Sequence, residues 1–115
     1  MKKLYIVVRT DQEFSRGKLM VHSSHIGTNL AFRLHGYEIF DEWYKNGQIK
    51  IVLKGKGEKH LVDLMEKAFN LRCIYIVIED IGLYETDPDT LIMIGIFATE
   101  EQAKQIGLKK LSLYK

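Results

Sequence analysis

The sequence predicts a three-layer α/β/α sandwich built on a mixed four-stranded sheet, and three observations carry that prediction. Four short runs rich in β-branched residues, three of them almost continuously apolar, suit strands covered on both faces. Amphipathic helical patterns lie between them, giving the order β-α-α-β-α-β-β-α. Only the connection from residue 78 to residue 91 is short enough to avoid a helical crossover, so one strand must run against the others.

Each element has its own justification. Leu4-Tyr-Ile-Val-Val8 is the first strand, and residues 16–34 then carry a long helical pattern. Residues 37–45 place Ile39, Phe40, Trp43 and Tyr44 on one side of a second helix, which Asn46-Gly47 stops. Ile49-Lys-Ile-Val-Leu53 is the second strand, and residues 58–69 form a third helix whose inner face is Leu61, Leu64, Met65 and Ala68. Ile74–Ile78 and Leu91–Phe97 complete the sheet. Thr99 and Gln102 have capping-box spacing, so a fourth helix starts there and runs to Ile106 before Gly107. The terminal stretch from Leu108 to Lys115 reads either as an edge strand or as a tail.

The bulk numbers bound the function class. A chain of 115 residues fits one domain, spanning residues 1–115, and 46% hydrophobic with 28% charged residues is the mixture of an ordinary globular protein. Seventeen Lys and Arg against fifteen Asp and Glu leave a charge of +2, which helps an acidic ligand approach without marking a dedicated nucleic-acid-coating protein. The apolar runs are strand-sized, and Met1-Lys2-Lys3 leads into too few apolar residues for a signal segment or a membrane span, so no membrane partner and a cytoplasmic location are expected. The single cysteine, Cys73, has no internal disulfide partner, agrees with a reducing compartment and reads as a small packing residue.

Chemistry concentrates in Ser15-Arg-Gly-Lys-Leu-Met-Val-His-Ser-Ser-His25. Gly17-Lys18 is no Walker loop: position 12 is Gln where the earlier glycine belongs, and position 19 is Leu where Ser or Thr belongs. His22 and His25 sit one turn apart, but two ligands do not close a zinc shell and no accompanying motif supplies the rest, so no metal is expected. Ser23 and Ser24 lie inside a helix with no Gly-x-Ser-x-Gly elbow, and Ser23 falls among packing residues. At roughly 100° per residue, Lys18, His22, His25 and Asn29 share an arc of about 60°, beside a second arc of Leu19, Ser23, Ile26, Leu30 and Leu34.

A solvated helix face accounts for that polar strip, and so does a functional site. Two features favour the site. Lys18 falls in the first helical turn, where free backbone N–H groups already attract anions, so it adds positive potential where a phosphate or an oxyanion would sit. The strand Ile74–Ile78 runs into Glu79-Asp80, and the carboxyl ends of strands in open α/β sheets are where ligands bind. The polar stretch from Tyr84 to Thr90, with the one proline at position 88, reads equally as a connecting hairpin or as a functional loop.

Four segments, in order along nearly the whole chain, resemble the type II peptidyl-tRNA hydrolases of archaea and eukaryotes. They are Val7-Val-Arg-Thr-Asp11; Gly17-Lys18 with His25; Trp43 with Gly47-Gln48 and Lys50-Ile-Val-Leu-Lys54; and Asp80-x-Gly82 with Pro88-x-Thr90. The resemblance implies the α/β/α sandwich of that family, often dimeric, hydrolysing the ester between a peptide and the 3′ end of tRNA without metal or other cofactor. By matching position it assigns the functional roles to Lys18, His25, Asp80 and Thr90. Peptidyl-tRNA or N-blocked aminoacyl-tRNA is then the expected substrate and a homodimer the expected assembly. Lys18 would stabilise developing negative charge or hold the terminal phosphate, Asp80 would orient water or the lysine, and His25 would fix the local hydrogen bonds. His22 and Thr90 would line the site, and Arg9, Arg16 and Lys50 or Lys54 would meet RNA phosphates. Two departures stand out: His22 replaces the family's glutamine, and Gly82-Leu-Tyr-Glu85 replaces a Gly-x-Thr-Gln loop. Tyr84 and Glu85 motivate the alternative of a non-catalytic RNA- or protein-binding module on the same scaffold, and a hydrolase of another ester or amide is a third reading.

Overall fold

Alternation along the strands divides the apolar residues between two cores. The computed structural model, which describes residues 1–80 and 89–115, contains β1 (Lys3–Val8), α1 (Arg16–Leu34), α2 (Glu38–Lys45), β2 (Lys50–Lys54), α3 (Glu58–Asn70), β3 (Ile74–Asp80), β4 (Thr90–Ala98) and α4 (Glu100–Ile106). In β1, Leu4, Ile6 and Val8 point toward α1 and α2, whereas Tyr5 and Val7 point toward α3 and α4. One face of the sheet packs Ile26, Leu30 and Leu34 of α1 and Phe40 and Trp43 of α2; the other packs Leu61, Leu64 and Ala68 of α3 and Ala103 and Ile106 of α4. This is the α/β/α sandwich that the element order predicts. Each such aliphatic side chain contributes about 1.5–3 kcal/mol on burial. Cys73 belongs to the α3/α4 core, where burial raises its thiol pKa above the usual range and leaves it protonated.

The strand order is β2-β1-β4-β3, with β1 parallel to β2 and β4 antiparallel to both β1 and β3. All of β4 after Thr90 is buried, as befits a central strand. Gly95 of β4 lets α1 approach closely: a Cβ there would lie 2.5 Å from Cγ2 of Ile26. Helix α1, at 19 residues, spans roughly 28 Å, whereas α2, at eight, spans roughly 12 Å. The shorter helix leaves the carboxyl-terminal part of its sheet face open.

Both free edges of the sheet are partly covered. After a 3-10 turn at Leu108–Lys110 the chain crosses β2 with a single antiparallel bridge, Leu53 to Leu113. There the N–H of Lys54 donates to Ser112 O (2.8 Å) and that of Tyr114 to Val52 O (2.9 Å). The terminal stretch is therefore an edge cover of one bridge, between the strand and the tail that its sequence allows. On the far edge, Arg33 Nη1 donates to Tyr75 O of β3 (2.9 Å). Among the described residues no helix is long and apolar enough to cross a membrane.

Candidate active site

The end of β3 sets the position of Asp80. Ile76 and Ile78 face α1, and the alternation carries Asp80 to that face while Val77 and Glu79 are exposed. A register shift lies just before it: Ile78 pairs with Met93 but Glu79 pairs with Leu91, so β4 holds one extra residue there. Such a bulge bends a strand and re-aims its side chains. Beyond it Asp80 pairs with Thr90, and the N–H of Asp89, a residue with φ 61°, donates to Asp80 O (2.7 Å). Aspartate is among the few residues that adopt a left-handed conformation readily.

The start of α1 supplies the partner. Ser15 caps the helix by accepting from the N–H of Lys18 (3.2 Å), and the first turn holds no acidic residue. Arg16 and Lys18 instead place two cations at the positive end of the helix, an arrangement unfavourable in isolation. Lys18 Nζ forms an ion pair with Asp80 Oδ2, and the two side chains are only 13% and 7% exposed. In that partly dehydrated setting each charge offsets the other's desolvation, and removal of either strands its partner. The pair joins an ammonium donor to a carboxylate acceptor where α1 begins and β3 ends.

The rest of the polar strip separates along the helix. His22, one turn after Lys18, is half-buried, and its Nδ1 is shielded from solvent with no hydrogen-bond partner among the described residues. Burial, then the charge of Lys18 and the neighbouring His25, lowers the His22 pKa below 6.5, so the imidazole is neutral near pH 7. His25 is exposed and sets its ring edge-on to His22, with centroids 5.8 Å apart. Asn29 is exposed.

Other residues expected at the site sit in different surroundings. Arg9 does not extend toward solvent: its Nε and Nη2 donate to the carboxylate of Asp11 (2.7 and 3.1 Å) and its Nη1 to Leu91 O (3.1 Å). The hydrogen bond between them raises the pKa of Arg9 and lowers that of Asp11. Lys50 Nζ lies 5.2 Å from the centre of the Trp43 ring, and Lys54 is exposed at the end of β2. Tyr84, Glu85 and the rest of residues 81–88 lie outside the described residues. Ser23 donates to Met20 O (2.9 Å), within its own helix. Among the described residues no three His, Cys, Asp or Glu side chains cluster as metal ligands.

An apolar groove of about 450 Å³ opens beside α1. Ile6, Val8, Val52 and Met93 form its floor, Leu19, Met20 and Ser23 one wall, and Arg16, Tyr114 and Lys115 its remaining border. The sequence pattern singles out neither this groove nor the pairing of Arg9 with Asp11. The signal for the groove is the shortness of the second helical pattern, which cannot cover the full length of two strands; no local pattern marks the Arg9–Asp11 clamp.

The structure is thus an α/β/α sandwich with a paired lysine and carboxylate and an apolar groove at the end of the sheet where β1, β2 and β3 terminate. Comparison with known proteins narrows the class. The profile of the family described as "Peptidyl-tRNA hydrolase PTH2" matches residues 2–114. A protein of Staphylothermus marinus named "Peptidyl-tRNA hydrolase" is 41% identical over 96 residues, covering 82% of this chain and 79% of the relative. One of the same name from Methanopyrus kandleri is 36% identical over 104 residues, 89% of each. A "Probable peptidyl-tRNA hydrolase 2" of Caenorhabditis elegans is 28% identical over 115 residues, 95% of this chain but 36% of the longer relative. The chain belongs to the PTH2 family of peptidyl-tRNA hydrolases.

Proposed function

We propose that this protein hydrolyses the ester joining a peptide or an N-blocked aminoacyl group to the 3′ end of tRNA, releasing free tRNA and the acyl group as a carboxylic acid. The Lys18–Asp80 pair, in a chain whose family carries that name, supports the reading above all. An ester needs an oriented water and a stabilised oxyanion rather than a strong nucleophile. Asp80 holds the attacking water or fixes the lysine, and Lys18 faces the negative charge that grows on the carbonyl oxygen. As the tetrahedral intermediate collapses, the bond from the carbonyl carbon to the ribose oxygen breaks and that oxygen takes up the proton that the attacking water released. His22 and Thr90 line the site, and His25 supports the local hydrogen bonds through its contact with His22. Arg16 on the groove border meets RNA phosphate or the acyl group, while Arg9 acts chiefly by bracing the end of β1 through Asp11 and Leu91. Phosphate contacts make tRNA binding weaken with salt. A cytoplasmic homodimer is the accompanying proposal, which sedimentation addresses directly.

Release of labelled peptide from peptidyl-tRNA tests the reading. Lys18→Ala and Asp80→Ala should each lower kcat/KM by about 10²–10³-fold, the scale of losing one oxyanion-stabilising group. A folded wild-type protein without turnover, with or without added metal, overturns the activity. Undiminished rates in both variants overturn the site.

A further inference from the structure

We propose that the groove beside α1 is the acyl subsite and that it receives an apolar side chain of the residue esterified to tRNA. The inference rests on the hydrolase reading and deepens it: it assigns the enzyme a preference among acyl groups.

Position comes first. Met93, on the groove floor, pairs with Ile78, and Asp80 lies two residues further along β3. One strand spacing across and two residues along put the Cα atoms of Met93 and Asp80 on the order of 8 Å apart. The first turns of α1 border both features. Its Lys18 turns to Asp80, while Leu19 and Ser23 line the groove. A carbonyl carbon held at the ion pair therefore has the groove within reach of its own side chain.

Chemistry and size agree with that occupant. The floor is wholly aliphatic or thioether, and the volume falls within the ~300–1,000 Å³ of small-molecule sites. Among the described residues, the charged side chains of the border are cationic and none that lines the groove is acidic. A hydrophobic side chain is thus welcome, a cationic one meets the like charges of Arg16 and Lys115, and the carboxylate created by hydrolysis finds a complementary charge at Arg16. The opening has a structural cause, since α2 is too short to cover this end of β1 and β2.

The test compares kcat/KM for N-acetyl-Phe-, N-acetyl-Gly- and N-acetyl-Lys-tRNA. The wild type should favour Phe over Gly by roughly ten-fold or more, the scale of apolar-pocket discrimination, and should rank Lys last. Ser23→Leu and Val52→Phe, each confirmed folded by circular dichroism, fill the groove and should bring the Phe-to-Gly ratio toward unity. Hydrolysis of all three with no preference, or a Phe preference that survives in both variants, overturns the subsite and leaves the hydrolase standing. Hydrolysis of none overturns the hydrolase reading. In that event the methyl resonance of Met93 decides the subsite separately: a shift with N-acetylphenylalanine but not with N-acetylglycine supports it. A shift with adenosine alone, or one that depends only on protein concentration, overturns it in favour of the terminal base or a second copy of the chain.

Discussion

The two faces of the sheet are built from the same strands and behave as different materials. Against α3 and α4 the core is closed over β1 and β4, from Leu61 and Leu64 to Ile106 and Leu108, and opens at the β3 edge, where Val62, Phe69 and Val77 are exposed. Against α1 and α2 the cover is helix packing at one end, where Trp43 meets Phe97 edge-on, and a groove at the other, whose floor residues Val8 and Met93 are buried and Val52 half-buried. The buried ion pair lies on this second face. Each face thus carries an opening, and the one beside α1 shares its face with the partly buried pair; an open apolar surface and such a pair both detract from stability.

Leu64→Ala in the α3/α4 core should produce the largest stability change. It should lower unfolding free energy by about 2–5 kcal/mol in urea, while the rate per folded molecule stays near wild type. A loss of rate larger than the loss of folded protein would break the division between faces. Gly95→Ala should cost less, about 1–3 kcal/mol, because its methyl group overlaps Ile26. It should also reduce the rate by displacing α1 and with it Lys18 relative to Asp80; destabilisation with an unchanged rate would show that the pair tolerates that displacement.

The smallest effect concerns pH. In the unfolded chain His22 titrates near 6.5, whereas burial, Lys18 and His25 lower its value in the folded chain. Above 6.5 neither state carries the charge, so its pH slope is nil; as pH falls below 6.5 the unfolded chain takes the proton first, and stability is lost until the folded pKa is passed. His60, its pKa also lowered chiefly by burial, adds the same sign. His22→Gln should therefore shrink, without abolishing, the drop in urea midpoint between about pH 7.5 and about pH 5.5. An unchanged drop would mean that His22 is as hydrated in the folded chain as in the unfolded one.

Local signals made much of this molecule legible in advance. The helix at residues 16–34 matches α1 end to end, and the Thr99–Gln102 box is formed in both directions, Thr99 Oγ1 accepting from Gln102 N–H and Gln102 Oε1 from Thr99 N–H. Lys18 and Asp80 were each marked by chemistry at an element's end, the one by the helix start and the other by the strand terminus. Arrangements fixed by distant partners were not legible. The bulge opposite Ile78 and the capture of Arg9 by Asp11 and Leu91 depend on which strands lie side by side, and periodicity carries no pairing information.

The placement of β4 bears on how the chain acquires its structure. β1 and β3 have no pairing with each other; both pair with β4, whose partners in β1 lie some ninety positions earlier in sequence. On a ribosome, β1 can pair with β2 early, but β3 waits for the strand between them. The sheet therefore cannot join into one piece until residue 98 has emerged, and the contacts that unite it close the longest loops. Loop closure of that kind slows folding, and until it is complete two strand edges stand unpaired and open to aggregation.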